Sequence, residues 1–358
     1  MLQFSAQYKK HTTKAEPAPT AEQPGRFTIW CLTDKHLDTV TYSVAVLQKY
    51  EKLTTTTFHM AQDGTSGGPP GGPTDMGSLP TVEVEGWVFP KLFEKTRPMK
   101  EHIGLIRGMQ MRDDDVILWA FAKSGTHWLW EVGCMLLTGK AEYEKRTKEH
   151  VMMEACDVED MEPLPSPRLL NTHLPTSMLP NQVKDGKVKV IHVYRNPKDV
   201  LVSMYFHVIQ IPPCKHMTFD MMLGMFMSEK CVGGNYFRYL KEVDTFIKEN
   251  PQVPVFNMSF EEMKANPEDT VQKLARFLGV DASPELCQSV AEACSFHKLK
   301  EADKSKDRPQ LIKDHNMDMY RKGEVGDWKN HLTVAQSEMI DAAMEQLKGC
   351  DFKMRYTL

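Results

Sequence analysis

Three stretches of the chain set cations beside hydroxyls and glycines, and a fourth places a histidine after an apolar run. The first is Ala122-Lys123-Ser124-Gly125-Thr126-His127-Trp128. Gly125 would let the backbone approach an anion closely. A helix starting there would offer unpaired N–H groups and the positive end of its dipole. Lys123 adds a point charge. In outline this is a cradle for a phosphate or sulfate. It is not the nucleotide loop GxxxxGK[ST], because the lysine precedes Ser-Gly-Thr and the earlier glycine is missing. The second stretch is Arg195-Asn196-Pro197-Lys198-Asp199, with Ser203 further along the same element. An arginine forks readily onto phosphate oxygens. The third, Arg321-Lys322-Gly323-Glu324-Val325-Gly326-Asp327-Trp328-Lys329-Asn330, suits a flap closing over a polyanion. Taken singly, each is equally an ordinary charged surface turn. Together they say more, because the chain is otherwise acidic: 44 Lys and Arg against 48 Asp and Glu, a net charge of −4. A general nucleic-acid binder carries a broad basic footprint, so an anion site here has to be built locally.

The fourth stretch is Arg168-Leu169-Leu170-Asn171-Thr172-His173-Leu174-Pro175. Histidine titrates near neutrality and is the usual general base, although a lone histidine is more often structural. A metal centre is not expected. The eight cysteines are scattered, no CxxC or HExxH occurs, and Cys214 with His216 is an isolated pair where structural zinc needs four ligands. Reduced thiols in a cytoplasmic chain are the simplest reading.

The elements that would position these residues read as α/β. Val116–Phe121 is a continuous apolar run, as in a buried parallel strand, and Trp128, Leu129, Val132, Met135 and Leu136 recur at helical spacing behind the first loop. A second strand–turn–helix unit runs from Val188 to about His207, with Pro197 suited to a first helical turn. A third has a strand at Val253–Phe260 and a helix through Val271, Leu274, Phe277 and Leu278. Such alternation predicts a parallel sheet with helices on both faces. The length of 358 residues allows two domains, or one large α/β domain with an appendage. With 41% hydrophobic and 26% charged residues the chain is neither wholly disordered nor a small disulfide scaffold. No apolar run reaches the ~18 residues of a membrane span, and the N-terminal residues hold no apolar stretch of the secretory kind. Residues 61–80 are half Gly and Pro, a flexible linker. Residues 1–80 are therefore expected to be a disordered extension plus linker, despite strand-like pieces within 27–58. Met60 offers an alternative start, and 81–358 is the working domain.

From about residue 81 onward the chain resembles the cytosolic sulfotransferase family, which transfers a sulfuryl group from 3′-phosphoadenosine 5′-phosphosulfate (PAPS) to an acceptor hydroxyl or amine. The four stretches match the family's 5′-phosphosulfate loop, 3′-phosphate segment, C-terminal nucleotide flap and catalytic-histidine segment, in order. The resemblance implies a central parallel β-sheet flanked by helices, the P-loop-like PAPS-binding fold. It implies His173 as general base and Lys123 at the bridging oxygen of the leaving nucleotide. Ser124, Gly125, Thr126 and His127 would hold the 5′ side, Trp128 would stack on adenine, and Arg195, Ser203, Arg321, Lys322 and Gly323 would hold the 3′-phosphate. No metal is implied. The chain departs from the family at Asn171, where many members have Lys; at His127, for a Thr; at Phe260, for a Tyr near the nucleotide; and at Cys294, for a Thr touching adenine or ribose. These changes motivate an alternative, a nucleotide-binding protein with little turnover. Lys329, Thr333, Val334 and Glu338 match the family's dimer segment and imply a weak homodimer, though Thr333 is also a natural helix cap. The expected partner is a small hydroxylated or amine acceptor, in the cytoplasm, with no nucleic acid or membrane involved.

Overall fold

The computed structural model describes residues 26–33, 36–43 and 79–354. The chain divides into two compact units, Met1–Gly72 and Pro73–Leu358. In the first, β1 (Arg26–Thr33) pairs antiparallel with β2 (His36–Ser43), so two strands stand within the segment read above as an extension. The Gly/Pro-rich linker lies outside the described residues up to position 78.

The second unit opens with an antiparallel pair, β3 (Thr81–Val84) and β4 (Trp87–Pro90), and helix α1 (Met99–Gly108). Its centre is a four-stranded parallel sheet made by β5 (Val116–Trp119), β6 (Leu169–Thr172), β7 (Lys189–Tyr194) and β8 (Val255–Ser259), in spatial order β6-β5-β7-β8. The interior strand β5 and the edge strand β6 are both buried along their whole length, as parallel strands covered on both faces are. Helix α2 (Thr126–Thr138) follows β5 and α3 (Pro197–Val208) follows β7. Asn196 caps α3 by accepting from the Lys198 N–H, with Pro197 at the first helical position.

The third strand is shorter than expected. Ser259 and Glu262 form a reciprocal capping box that starts a helix at Phe260, so Phe260 lies in the helix and not in the strand. In register, Trp119 stands beside both Thr172 and His192, and Tyr194 beside Ser259. β5 and β6 thus end level, β7 and β8 end level two residues further on, and the loops that follow leave from one edge of the sheet. That edge is where open α/β sheets bind ligands.

Candidate active site

The loop after β5 departs from ordinary backbone geometry. Lys123 takes φ +69° and Gly125 φ +119°, both in the left-handed region. An added Cβ on Gly125 would stand 2.8 Å from the Phe260 ring, so the loop requires glycine there. No side chain caps the start of α2 and its first turn holds no acid. The Trp128 N–H is taken by the Gly125 carbonyl at 3.2 Å, which leaves the N–H groups of Thr126 and His127 and the positive dipole end to an anion.

Around this loop lies a cavity of about 770 Å³. Lys123, Gly125, Thr126, His127, Trp128, His173, Arg195, Ser203, Phe260, Arg321, Lys322 and Gly323 all line it, so residues from separate parts of the chain converge there. Two expected residues do not. Ser124 is buried beneath the loop. Cys294 is buried with its thiol 3.9 Å from the Met135 sulfur, because the helix ending at Ala293 packs that position inward against α2. It touches core, not cavity. Asn171 is absent from the lining as well. It is fully buried, and neither end of its amide finds a partner.

His173 follows β6 directly. Its Nδ1 lies 2.7 Å from the Ala120 carbonyl, which can only accept, so Nδ1 carries the proton and the Nε2 lone pair faces the cavity. Its backbone N–H donates to Glu154 Oε1 (2.8 Å), and the neighbouring Thr172 hydroxyl donates to Glu154 Oε2 (2.9 Å). Burial, reinforced by the ammonium of Lys148, pushes the imidazole down to about 3. The ring is neutral and able to take a proton.

Lys148 and Glu149, which sequence reasoning missed, complete this corner. Lys148 Nζ lies 3.5 Å from His173 Nε2 and 3.2 Å from Glu149 Oε1. Glu149 Oε1 is also 3.0 Å from His127 Nε2. Burial drives His127 down to about 4 in spite of this carboxylate, whereas Lys148 and His127 hold Glu149 well below the carboxylate range against its own burial. The His127 imidazole is thus neutral beside an ionised Glu149. Lys123 is brought down to about 8, first by burial and then by the neighbouring Lys148.

Arg195 lies under the other end of the cavity. It donates to the carbonyls of Glu324 (3.0 Å) and, more weakly, Lys123 (3.4 Å), and its guanidinium lies 4.2 Å from the centroid of the Phe260 ring. Its Nε is buried and finds no acceptor in the protein. A buried donor without a partner is costly, so this site fits an anion. Asp327 collects the flap cations: Arg321 and Lys322 each reach it at 2.6 Å. Burial works against that carboxylate, but the hydrogen bonds from Lys322, Asn330 and Arg321 keep it ionised well below its usual range. Asp199 of α3 accepts the N–H groups of Gly326 (2.7 Å) and Trp328 (3.0 Å), tying the flap to the helix behind Arg195. Gly323, at φ +65°, rests against Phe296, which also lines the cavity. The lining also includes apolar side chains, among them Phe89, Phe121, Met204, Met217, Met222 and Met225. Among the described residues no three His, Cys, Asp or Glu side chains are grouped as a metal site, and no helix is long and apolar enough to cross a membrane.

A sulfotransferase-domain family model matches residues 113–351, which takes in the β5 loop, His173, Arg195 and the flap. The chain is 35% identical to rat sulfotransferase 1A1 over 295 residues, 78% of this chain and 98% of that protein. The chain belongs to the sulfotransferase family. Mouse sulfotransferase SULT7A1, solved in complex with PAP, superposes with a TM-score of 0.63 at 28% identity, covering 76% of this chain and 97% of that one. Retinol dehydratase, solved with androsterone and PAP, shares the fold at 18% identity and a TM-score of 0.63, covering 78% and 93%. As a sulfotransferase the chain has the central parallel sheet with flanking helices expected from its sequence. Its His173, strained lysine loop and orphaned arginine share one cavity.

Proposed function

We propose that this protein transfers the sulfuryl group of PAPS to a hydroxyl, or an amine, of a small apolar acceptor, with His173 as general base. The observation that carries this reading is the orientation of His173: Nδ1 is spent on the Ala120 carbonyl, and Nε2 opens into the cavity that also holds Lys123 and Arg195. The residues present fit the co-substrate. Arg195, Ser203, Arg321, Lys322 and the Gly323 backbone would hold the 3′-phosphate. Lys123, Gly125, Thr126, His127 and the buried Ser124 backbone would hold the 5′ side, and Trp128 offers an aromatic face to adenine. When bound, PAPS supplies an already activated sulfuryl group on a good leaving group. His173 Nε2 takes the acceptor proton. Lys123 faces the charge that collects on the 5′-phosphate, and the cradle fixes the reacting atoms in line. The acceptor sits against Phe89, Phe121 and the methionines, side chains that adapt their shape readily.

The alternative of a nucleotide-binding protein with little turnover draws on Asn171, His127 and Phe260. A neutral, correctly oriented base argues for turnover instead. Domain organisation follows the same proposal: residues 81–358 work as the catalytic domain, in the cytoplasm. A weak homodimer would form through Lys329, Thr333, Val334 and Glu338. Val334 is three-quarters exposed, and Thr333 also caps the last helix by accepting from the Gln336 N–H, so the two readings of that segment coexist.

The test is transfer from labelled PAPS to a panel of phenols, aliphatic alcohols, sterols and amines. The wild-type chain should sulfate at least one class. His173→Ala should lose about 10²–10⁴ in kcat while keeping its affinity for PAP. Equal turnover by the variant would remove His173 as base. Binding of ATP·Mg²⁺ in preference to PAP would remove the reading altogether.

A further inference from the structure

We infer that Lys148 is a catalytic residue of this cavity, its ammonium holding a non-bridging oxygen of the sulfuryl group beside His173. The inference rests on the PAPS-dependent reading above. Lys148 is the cation at the base itself: Nζ is 3.5 Å from Nε2, the nitrogen with the lone pair, and both side chains line the cavity. The lysine is not a surface charge that has wandered in, for only 3% of its side chain is exposed. Glu149 beside it, 3.2 Å away, supplies a counter-charge to the buried lysine. An ammonium has three donors, and its neighbours Glu149 and His173 engage two of them.

Several other cations of the cavity already have partners in the protein, although the Arg195 Nε does not. Arg195 donates to two carbonyls, and Arg321 and Lys322 both pair with Asp327 at the flap. Lys123 sits in the strained loop. Asn171 lies outside the lining and offers the sulfuryl group nothing.

The position of Lys148 is built rather than incidental. The segment behind it is laced to the end of β6: the Met153 N–H donates to the Asn171 carbonyl at 2.9 Å, and Glu154 accepts from both the Thr172 hydroxyl and the His173 N–H. One strap therefore sets base and cation in mutual register. Without ligand the ammonium points at the lone pair. A sulfuryl oxygen, being anionic, is a better acceptor than an imidazole nitrogen, so its arrival draws the ammonium off Nε2 and frees that nitrogen for the acceptor proton. The step balances without a further reagent. The acceptor O–H gives its proton to His173 Nε2 and its oxygen bonds to sulfur. The bond from sulfur to the bridging oxygen breaks, its electron pair leaving on the 5′-phosphate beside Lys123. Lys148 offsets the anionic charge that would otherwise repel the incoming oxygen and holds sulfur in line.

PAP differs from PAPS by the sulfuryl group alone, so the pair of nucleotides isolates this contact. Lys148→Gln and Lys148→Arg would be titrated calorimetrically with PAP and with PAPS, and followed in single turnover with an acceptor. For Lys148→Gln, PAP affinity should stay within about twofold of wild type, PAPS affinity should fall at least about fivefold, and the single-turnover rate should fall about 100-fold. Lys148→Arg should recover part of the rate. Unaltered PAP binding also certifies that the variant is folded. Equal weakening of PAP and PAPS would make Lys148 a structural residue and overturn the inference, as would unchanged PAPS affinity with an unchanged rate. A wild-type chain that binds neither nucleotide would overturn the functional reading first and this inference with it.

Discussion

His173 and Lys123 are both shifted downward by burial, but in a working range the two shifts act in opposite directions. At about 3, the His173 imidazole is neutral throughout the pH range of an assay; at about 8, Lys123 begins to lose its charge just above neutrality. In kcat/KM for PAPS, which reports the free enzyme, the rate should hold level on the acid side down to pH ~5 and fall above pH ~8. Lys123→Arg, whose charge does not titrate, should shift the alkaline limb out of range. An acid limb at the ordinary histidine value near 6.5 would mean that Nε2 is not held as described. Lys123, Arg195 and His173 were legible in the sequence because Arg195 and His173 each follow a strand directly and Lys123 stands in the loop after β5, and parallel strands deliver such residues to one edge. Lys148 and Glu149 were not. Their approach to His173 depends on a pairing of Met152 with Asn171 across a segment without regular periodicity. Cys294 was misplaced for a related reason. Alignment locates a position along the chain, but whether a thiol faces a cavity or the core depends on the rotation of the helix it terminates.

At the scale of elements, the flap depends on one carboxylate. Asp199 stands in the first turn of α3 and accepts two backbone N–H groups of the flap, so the helix that carries Arg195 at its start also sets where Arg321 and Lys322 lie. Asn at this position retains a single acceptor and presents an NH₂ group to an N–H. Asp199→Asn should therefore cost about 1–3 kcal/mol of stability and weaken PAP about tenfold, with little change in the turnover of the saturated enzyme. Urea unfolding and PAP titration would check both. PAP affinity unchanged from wild type would mean that the flap closes without this anchor. The helix itself was readable from Pro197 and the apolar spacing behind it. The anchor was not, since nothing local indicates that residue 199 meets residues 326 and 328.

At the scale of the whole molecule, among the described residues every one lining the cavity lies between Leu79 and Gly323, inside the unit Pro73–Leu358. That unit also holds the parallel sheet and a continuous apolar core. A domain with its own core folds alone. The sequence places a linker at residues 61–80, whereas the pairing of β1 with β2 upstream was not foreseen as a unit. A chain beginning at Met60 should melt within about 2 °C of the full-length protein and bind PAP within about twofold, because no cation, base or aromatic of the site is removed and a stability change under 0.5 kcal/mol shifts a melt of this size by no more. Its acceptor profile should also match, since the apolar lining of the cavity begins at Leu79. Differential scanning calorimetry and PAP titration on both chains decide the matter. If the shorter chain unfolds earlier or loses its nucleotide, residues 1–59 contribute to the catalytic domain, and the division at the linker fails.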